Sequence, residues 1–293
     1  MANIESVKSL LVLFILARVR FYLMDDFGLW DFRSDEEKAL CSRFMSDGYV
    51  IEKANQKHLD IVKKFIYDAA NEFIFKKKIA VNSKQYHLEE FHTFMDGPES
   101  NDLRLSVINN ISRNIKFNHH YYLAAQKIIY QLCGNELAMQ KRIGLSINFP
   151  HNKNDVLPMH ADTWNGVSPY ELNIWTPLVN CTNSMCLYIL KKDTYLKLRE
   201  DKSLLKLNTD DMYEKVKDNL TWITIKYGDV LAFDQSIPHG FALNQENSSH
   251  WSLNCRFKGL HTPYWDKKLG EYFMPITLKT CTRVGIDYKH PAN

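Results

Sequence analysis

The segment Pro158-Met159-His160-Ala161-Asp162-Thr163-Trp164 is the part of the chain around which the rest is interpreted. Alternate side chains of an extended strand share a face, so His160 and Asp162 are predicted to project in the same direction. A later segment, Ile237-Pro238-His239-Gly240, adds a second imidazole. These three side chains form a candidate metal site, with two ligands from one strand and the third from another.

Two neutral imidazoles and one carboxylate, with one face of the metal left open, are the ligand set of non-haem Fe(II) oxygenases. A His-x-Asp pair alone is a weak signal, and its alternative is a solvated pair on a loop, with His239 capping a turn beside its proline. The context favours metal, because both segments lie beside apolar, strand-rich runs and Arg256 follows on the next predicted strand. We therefore predict His160, Asp162 and His239 as the catalytic and metal-binding residues.

Length and composition indicate a folded protein that acts on a small molecule. The 293 residues suffice for a substantial core in one or two domains. Aromatic residues make up 13% and charged residues 24%, which argues against disorder. The formal net charge of +3 is too small at this length to indicate a nucleic-acid partner. A small-molecule substrate is the expected partner.

The cysteines are scattered and include no Cys-x-x-Cys pair, which argues against a zinc ribbon, a thioredoxin-like site or a disulfide framework. A reducing cytoplasm is the predicted location, and it would also help to keep iron ferrous. The six residues are Cys41, Cys133, Cys181, Cys186, Cys255 and Cys281.

The N-terminal residues 1–33 are predicted to be a helical extension. The apolar run from Leu10 to Ala17 is flanked by Lys8, Arg18 and Arg20. It is too short to span a bilayer, which needs about 20 residues, and no small-residue cleavage site of a secretory signal follows. We expect this helix to pack on the domain or on another copy in a homo-oligomer. The alternative is a helix lying on a membrane surface.

Residues 34–293 are predicted to be a single domain that begins with helices. Ser34-Asp35-Glu36-Glu37 fits a capping box and predicts a helix from Asp35 to about Ser46, ended by Gly48 and followed by a strand at 49–51. A second helix begins at Asn55. Its predicted apolar face consists of Leu59, Val62, Phe65, Ile66, Ala69 and Phe73.

The remaining residues up to 134 are predicted to hold one more helix. Residues 79–100 are expected to be irregular, with an aromatic cluster that either covers the core or lines a pocket. The helix is predicted from Tyr121 to Cys133. His119 and His120 stand just before it and diverge too far to chelate one ion together.

From residue 135 the pattern changes to short alternating strands. Helices followed by such strands predict a mainly β fold with α-helices, an antiparallel double-sheet barrel behind an α-helical N-terminal region. The barrel is assigned to 135–262 and a C-terminal tail to 263–293. Charged residues 191–220 have a helical pattern and are predicted to be an insertion, either an outer cover or a lid over the metal. The predicted strands are 143–149, the segment around His160, 171–178, 184–190, 222–225, 230–234 and 251–257.

The motifs resemble the Fe(II)/2-oxoglutarate-dependent dioxygenases, specifically the branch similar to phytanoyl-CoA hydroxylase. The resemblance is carried by the triad, by Arg256, and by the runs 171–178 and 227–240, and it covers roughly residues 35 to 275. More narrowly, the chain is similar to a bacterial group found among sporadic carbohydrate-biosynthesis genes. The resemblance implies a double-stranded β-helix of the jelly-roll or cupin type, with Fe(II) as cofactor and 2-oxoglutarate and O2 as co-substrates.

One position departs from that branch, in which an Arg-x-Ser pair commonly follows the distal histidine. Here the triplet is His250-Trp251-Ser252. Arg256 is predicted to lie on the same strand face, and a guanidinium can hold the far carboxylate of 2-oxoglutarate in a bidentate manner. We therefore predict Arg256 as the anchor, Ser252 as its assistant, and His250 and Asn148 as further cofactor-binding residues. The alternative for Arg256 is a pairing with a core carboxylate.

The resemblance implies oxidation of a substrate C–H bond coupled to conversion of 2-oxoglutarate into succinate and carbon dioxide. The presence of Asp162 favours hydroxylation over halogenation, while desaturation and ring closure stay open. A sugar or nucleotide sugar is the predicted substrate, with contacts from Trp164, Asn165, Asn173 and Trp175, although Trp175 fits the core equally well. The alternatives are an amino-acid or lipid-like substrate, or a catalytically silent cupin-type protein that binds metal or ligand.

Overall fold

The computed structural model describes residues 31–77, 86–95, 97–112, 114–201 and 207–291. The predicted helix through Leu10 to Ala17, and with it the predicted oligomer contact, lies outside these residues. The chain divides into two compact units, Met1–Ala39 and Leu40–Asn293. No helix within the described ranges is long and apolar enough to cross a membrane.

Helices and strands follow one another in the order predicted, with several additions. The helices are α1 (Asp35–Asp47), α2 (Gln56–Lys76), α3 (Gly97–Ile111), α4 (Ile115–Cys133), α5 (Lys192–Glu200), α6 (Thr209–Val216) and α7 (Thr280–Asp287). The strands are β1 (Tyr49–Lys53), β2 (Leu137–Gln140), β3 (Gly144–Asn148), β4 (Leu157–His160), β5 (Glu171–Pro177), β6 (Leu187–Leu190), β7 (Leu220–Ile223), β8 (Asp229–Phe233), β9 (His239–Phe241), β10 (His250–Gly259) and β11 (Phe273–Thr277).

The described part of the first unit contains the predicted start of α1. Ser34 Oγ accepts a hydrogen bond from the backbone N–H of Glu37 at 3.2 Å, which is the first half of the predicted capping box. Just before it, Arg33 pairs with Asp31 at 2.8 Å. The predicted helix start at Asp35 is thereby confirmed.

The second unit is built on two antiparallel sheets. The larger sheet has the order β1-β8-β5-β10-β2-β11, and β3 also pairs with β10. The smaller sheet has the order β4-β9-β6-β7. The two sheets meet through their side chains, because the rings of Trp175 and Phe241 lie 6.1 Å apart and those of Phe233 and His239 4.8 Å apart. The predicted antiparallel double-sheet architecture is confirmed, although the two sheets are not hydrogen-bonded into one closed barrel.

The helical region covers the outer face of the larger sheet. The side-chain hydroxyl of Thr176 in β5 donates a hydrogen bond to the hydroxyl of Tyr121 in α4 at 3.3 Å, and the ring of Phe91 meets Trp251 edge-on at 5.4 Å. Even-numbered side chains of β5 therefore face the helices, while odd-numbered ones such as Asn173 face the smaller sheet. Burial of this interface by large apolar side chains is what holds the two layers together.

Two predictions about the helical region are wrong. Helix α3 begins at Gly97, inside the stretch 79–100 that is predicted to be irregular, and continues to Ile111, with Leu103, Val107 and Ile111 buried at helical spacing. The next helix begins at Ile115, because Asn114 caps it by accepting the N–H groups of the second and third residues after it. His119 and His120 thus lie inside this helix.

Two strands, β2 and β11, were not predicted. β11 pairs with β2 at the edge of the larger sheet, so residues predicted to be a C-terminal tail belong to the sheet. Its alternation is weak, with only Phe273 fully buried, and Pro275 interrupts it, which is tolerated at a sheet edge. This strand brings the preceding loop to the site described next.

Candidate metal centre

The two predicted histidine ligands come from neighbouring strands of the smaller sheet. His160 is the last residue of β4, His239 is the first of β9, and the two are paired in antiparallel register. Their ring centroids lie 4.5 Å apart. β4 ends at His160, so the prediction that the strand continues through Asp162 is wrong. Because Ala161 keeps an extended backbone, Asp162 still projects to the side of His160 and opens a short 3-10 turn.

The three side chains converge as predicted. One ligand atom from each of His160, Asp162 and His239 lies within 4.8 Å of the other two. Elsewhere in the described ranges, no set of three histidine, cysteine or acidic side chains meets this criterion. Two imidazoles and a carboxylate suit a divalent first-row metal such as Fe(II), so the residues present fit the cofactor that the sequence indicated.

Backbone carbonyls fix the tautomer of both imidazoles. Nδ1 of His160 donates to the carbonyl of Pro158, and Nδ1 of His239 donates to the carbonyl of Ile237, each at 2.9 Å. A carbonyl can only accept, so each ring carries its proton on Nδ1. The lone pair of Nε2 is therefore available in both rings. This arrangement is the usual outer support of a metal-binding histidine.

The carboxylate of Asp162 is held by one oxygen and faces His160 with the other. Its Oδ2 accepts from Nη2 of Arg256 at 2.7 Å, from Nε of Arg256 at 3.2 Å and from Nδ2 of Asn173 at 3.3 Å. Oδ1 lies 3.6 Å from Nε2 of His160. Since three donors occupy Oδ2, the carboxylate is arranged to bind a metal through Oδ1 alone.

Burial and neighbouring charges set the protonation of the ligands. Burial lowers the pKa of His239 to about 4, so this ring is neutral at neutral pH. Burial raises the pKa of Asp162, but the contacts with His160 and Arg256 lower it more, and the net pKa lies far below the usual value. Burial lowers the pKa of His160, whereas its bonds to Asp162 and Pro158 raise it, and the net shift is upward. The site thus offers an anion and a neutral imidazole at neutral pH.

A cleft of about 430 Å³ opens beside the ligands. Thr209 of α6 also lines it, so the segment 191–220, which is predicted to be an insertion, contributes to the wall of the cleft. The cleft is therefore bounded by two of the predicted metal ligands and by α6. Other lining residues include His160, Asp162, Asn165, Arg256, Lys267 and Tyr272.

Arg256 has most of its donors occupied by the protein. Its Nη1 donates to Gln140 Oε1 at 3.1 Å and to the hydroxyl of Tyr272 at 2.8 Å, and its Nε donates to Gln235 Oε1 at 3.0 Å. Together with the pairing to Asp162, this leaves one of the five N–H groups of the guanidinium without an acceptor among the described residues. The bidentate grip predicted from the sequence is therefore not available in this arrangement, although Arg256 does line the cleft.

The other predicted cofactor-binding residues lie away from the cleft. His250 is 0% exposed, its Nε2 contacts Ser252 Oγ at 2.8 Å, and its ring stacks on Trp175 at 5.9 Å. Burial lowers the pKa of His250 to about 4. Asn148 lines a separate pocket of about 520 Å³ together with Arg104. Neither His250, Ser252 nor Asn148 lines the cleft beside the metal ligands.

The four predicted substrate contacts are placed differently from one another. Asn165 lines the metal cleft. Trp164 is 46% exposed and lines a second pocket, of about 190 Å³, with Tyr195 of α5. Asn173 faces Asp162 instead, and Trp175 is 2% exposed, which agrees with its alternative interpretation as a core residue.

Sequence reasoning missed Gln235 and the loop before β11. Gln235 is 0% exposed, and its backbone carbonyl accepts the N–H of Asp162 at 2.9 Å while its side chain accepts from Arg256. An amide between a predicted apolar strand and a predicted ligand was a usable signal. Lys267 and Tyr272 carried no such signal, because only the pairing of β11 brings their loop to the cleft.

No family model matches the sequence, and no curated protein matches it. Among solved structures, the fold is similar to a non-heme monooxygenase, the ThoJ–Ni complex, with a TM-score of 0.51, 11% identity, and coverage of 81% of this chain and 84% of that chain. EvdMO1 is similar with a TM-score of 0.50, 15% identity, and coverage of 76% of this chain and 50% of that chain. At these identities the similarity shows that the chain has the fold of a non-haem monooxygenase of known structure.

Proposed function

We propose that this protein is an Fe(II)- and 2-oxoglutarate-dependent dioxygenase that oxidises a C–H bond of a small polar metabolite. The observation that carries the proposal is the convergence of His160, Asp162 and His239 on one point beside an open cleft. Nδ1 of each histidine and Oδ2 of Asp162 are already hydrogen-bonded to the protein, which leaves Nε2 and Oδ1 for the metal. Bound Fe(II), with 2-oxoglutarate and O2, would supply the oxidising power for the C–H bond.

The contribution of the protein is to fix the ligands and to shield them. The backbone carbonyls orient the imidazoles, and Arg256 with Asn173 turns Oδ1 of Asp162 toward them. The ring of Phe233 lies edge-on to His239 at 4.8 Å and covers it from water. Such outer contacts commonly change metal affinity or activity by about 10–100-fold.

We further propose that 2-oxoglutarate lies in the cleft of about 430 Å³, which is lined by both metal ligands and cationic side chains. Arg256 lines the cleft and pairs with Asp162. Its remaining N–H group can therefore donate one hydrogen bond to the keto acid. Ser252 and His250 are bonded to each other inside the core, and Asn148 lies at another pocket. We therefore assign the co-substrate to the cleft and not to these three residues.

A sugar or nucleotide sugar is the substrate class that we propose. The amide of Asn165 and the hydroxyl of Thr209 line the cleft and suit hydrogen bonds to sugar hydroxyls. The half-exposed indole of Trp164, in the second pocket, offers a flat apolar surface. We also propose action in a reducing cytoplasm, which is supported by the presence of all six cysteines as free thiols.

The test is succinate formation from 2-oxoglutarate by the purified protein with Fe(II) and ascorbate under air. We expect slow turnover alone and faster turnover with the correct nucleotide sugar, with free amino acids and fatty acids as the competing substrate classes. Asp162→Ala should abolish both rates. Bound iron with no 2-oxoglutarate turnover under any of these conditions would instead identify a silent metal-binding protein.

A further inference from the structure

The cleft beside the metal ligands contains a positive charge that the metal site does not use. Lys267 lines the cleft together with Arg256, and its Nζ lies 5.3 Å from the ring centroid of Tyr272. Within the described ranges, no carboxylate forms an ion pair with this ammonium. An ammonium at the wall of a cleft that is not paired with a protein carboxylate is available to an anionic ligand.

The loop that carries Lys267 is attached to the turn that carries Asp162. The N–H of Asp266 donates to the carbonyl of Gly166 at 3.2 Å, and Gly166 ends the 3-10 turn that Asp162 opens. On its other side, Tyr272 accepts a hydrogen bond from Arg256. Both ends of the loop are therefore hydrogen-bonded to residues next to the metal ligands, which holds the backbone of Lys267 at the wall of the cleft.

The charges of the cleft favour a dianion over a monoanion. Among the charged residues that line the cleft, Asp162 and Arg256 form an ion pair, so their charges offset each other. A divalent metal and the ammonium of Lys267 are then the uncompensated charges. A ligand with two carboxylates can place one at the metal and the other at Lys267, which a keto acid with a single carboxylate cannot do.

We propose that Lys267 binds the carboxylate of 2-oxoglutarate that lies farther from the metal, and this inference rests on the function proposed above. We assign this role to Lys267 because the two other candidate residues, Arg256 and His250, have little or no capacity left to bind a carboxylate. Arg256 keeps a single N–H available, and His250 is enclosed in the core with no exposed surface. A flexible lysine carries a compact full charge to a position that neither of them can serve.

The test compares two keto acids on the Fe(II)-loaded full chain without oxygen. Dissociation constants of 2-oxoglutarate and pyruvate are measured by calorimetry for wild type, Lys267→Met, Lys267→Arg and Lys268→Met. Lys268 is the matched control, because it is exposed and contributes only its backbone carbonyl to the turn before β11. Lys267→Met should weaken 2-oxoglutarate by about tenfold or more and change pyruvate by less than about twofold. Lys267→Arg and Lys268→Met should bind both acids like wild type.

Two results would overturn the assignment. Unchanged affinity of Lys267→Met for 2-oxoglutarate would show that the far carboxylate lies elsewhere, and equal weakening of both acids would show that Lys267 acts through the structure of the cleft. In either case succinate formation by wild type would leave the proposed function standing. Wild type that binds Fe(II) but neither keto acid would instead overturn the proposed function, and this inference with it.

Discussion

His160 and His239 lie opposite each other in antiparallel register, and each donates its Nδ1–H to the carbonyl two residues earlier in the chain. The same local geometry is thus used twice, once on each strand. It presents two Nε2 lone pairs without help from any other side chain. The third ligand differs, since the position of the Asp162 carboxylate depends on contacts from three other parts of the chain. Substitutions at these contacts should therefore disturb the carboxylate more than the two imidazoles.

Replacing Asp162 with alanine is expected to abolish tight Fe(II) binding, because the two imidazoles that stay carry no negative charge. The free energy of unfolding should also fall by about 3–5 kcal/mol, since Arg256 loses the partner of a largely buried ion pair. Anaerobic calorimetry with Fe(II) and urea denaturation measure the two effects. The double variant Asp162→Ala/Arg256→Met is the control, and it should recover stability but not metal binding. Full Fe(II) affinity in Asp162→Ala would refute the triad.

Gln235→Leu is expected to weaken Fe(II) binding by about 10–100-fold while the fold is retained. The substitution removes the acceptor of Arg256 Nε and so loosens the guanidinium that holds Oδ2 of Asp162. The backbone bond from Asp162 to residue 235 is kept, which limits the effect to the side chain. Gln245→Leu, at an exposed position, is the matched control and should bind metal like wild type. Equal affinities of the two variants would exclude a positioning role for Gln235.

The sequence predicted the structure correctly where the alternation of residues along a strand matches the two faces on which they are buried. The alternation of β5 follows from its position in the middle of the larger sheet, with one face toward the helices and the other toward His239. The His160 and Asp162 spacing was informative for the same reason, and the extended backbone of Ala161 preserved it even though the strand ends earlier. These features depend on neighbours in the chain and were predictable.

Long-range contacts were not predictable from the sequence. Arg256 was correctly expected on the strand that follows His239, but its donors are taken by Gln140, Gln235 and Tyr272, which come from three separate segments. The loop with Lys267 reaches the cleft only because an irregular edge strand pairs with β2. Pairings of this kind are set by tertiary packing, which periodicity along one strand does not encode.

Gly166→Ala should destabilise the protein and also weaken binding of 2-oxoglutarate. The φ angle of Gly166 is +75°, in the left-handed region, and an added Cβ would meet the carboxylate of Asp266 beside Lys267. Gly270→Ala is the matched control, because its φ angle is +86° and an added Cβ there would have no neighbour within 4 Å. Both variants should lose about 1–2 kcal/mol in urea denaturation from backbone strain. Only Gly166→Ala should bind 2-oxoglutarate more weakly. If the two variants bind it with equal affinity, the contact between Gly166 and Asp266 does not influence the cleft.

Acid should destabilise the protein through His250, and the sign follows from its burial. Burial holds the pKa of His250 at about 4, against about 6.5 in the unfolded chain, so between these values the unfolded state binds more protons. The free energy of unfolding therefore falls as the pH drops from 6.5 to 4, by about 3 kcal/mol from this residue. Buried Glu171 and Asp155, whose pKa values burial raises, act in the opposite direction over part of this range.

The comparison of wild type with His250→Gln isolates the contribution of that one ring, because the other titrating groups are common to both proteins. Urea denaturation at pH 8 measures what the variant loses in packing against Trp175 and in its bond to Ser252. As the pH falls to 4, the stability of wild type should decrease toward that of the variant, or below it. A constant difference between the two proteins across this range would mean that His250 takes up its proton equally in the folded and unfolded states, and that the ring is not enclosed as the structure has it.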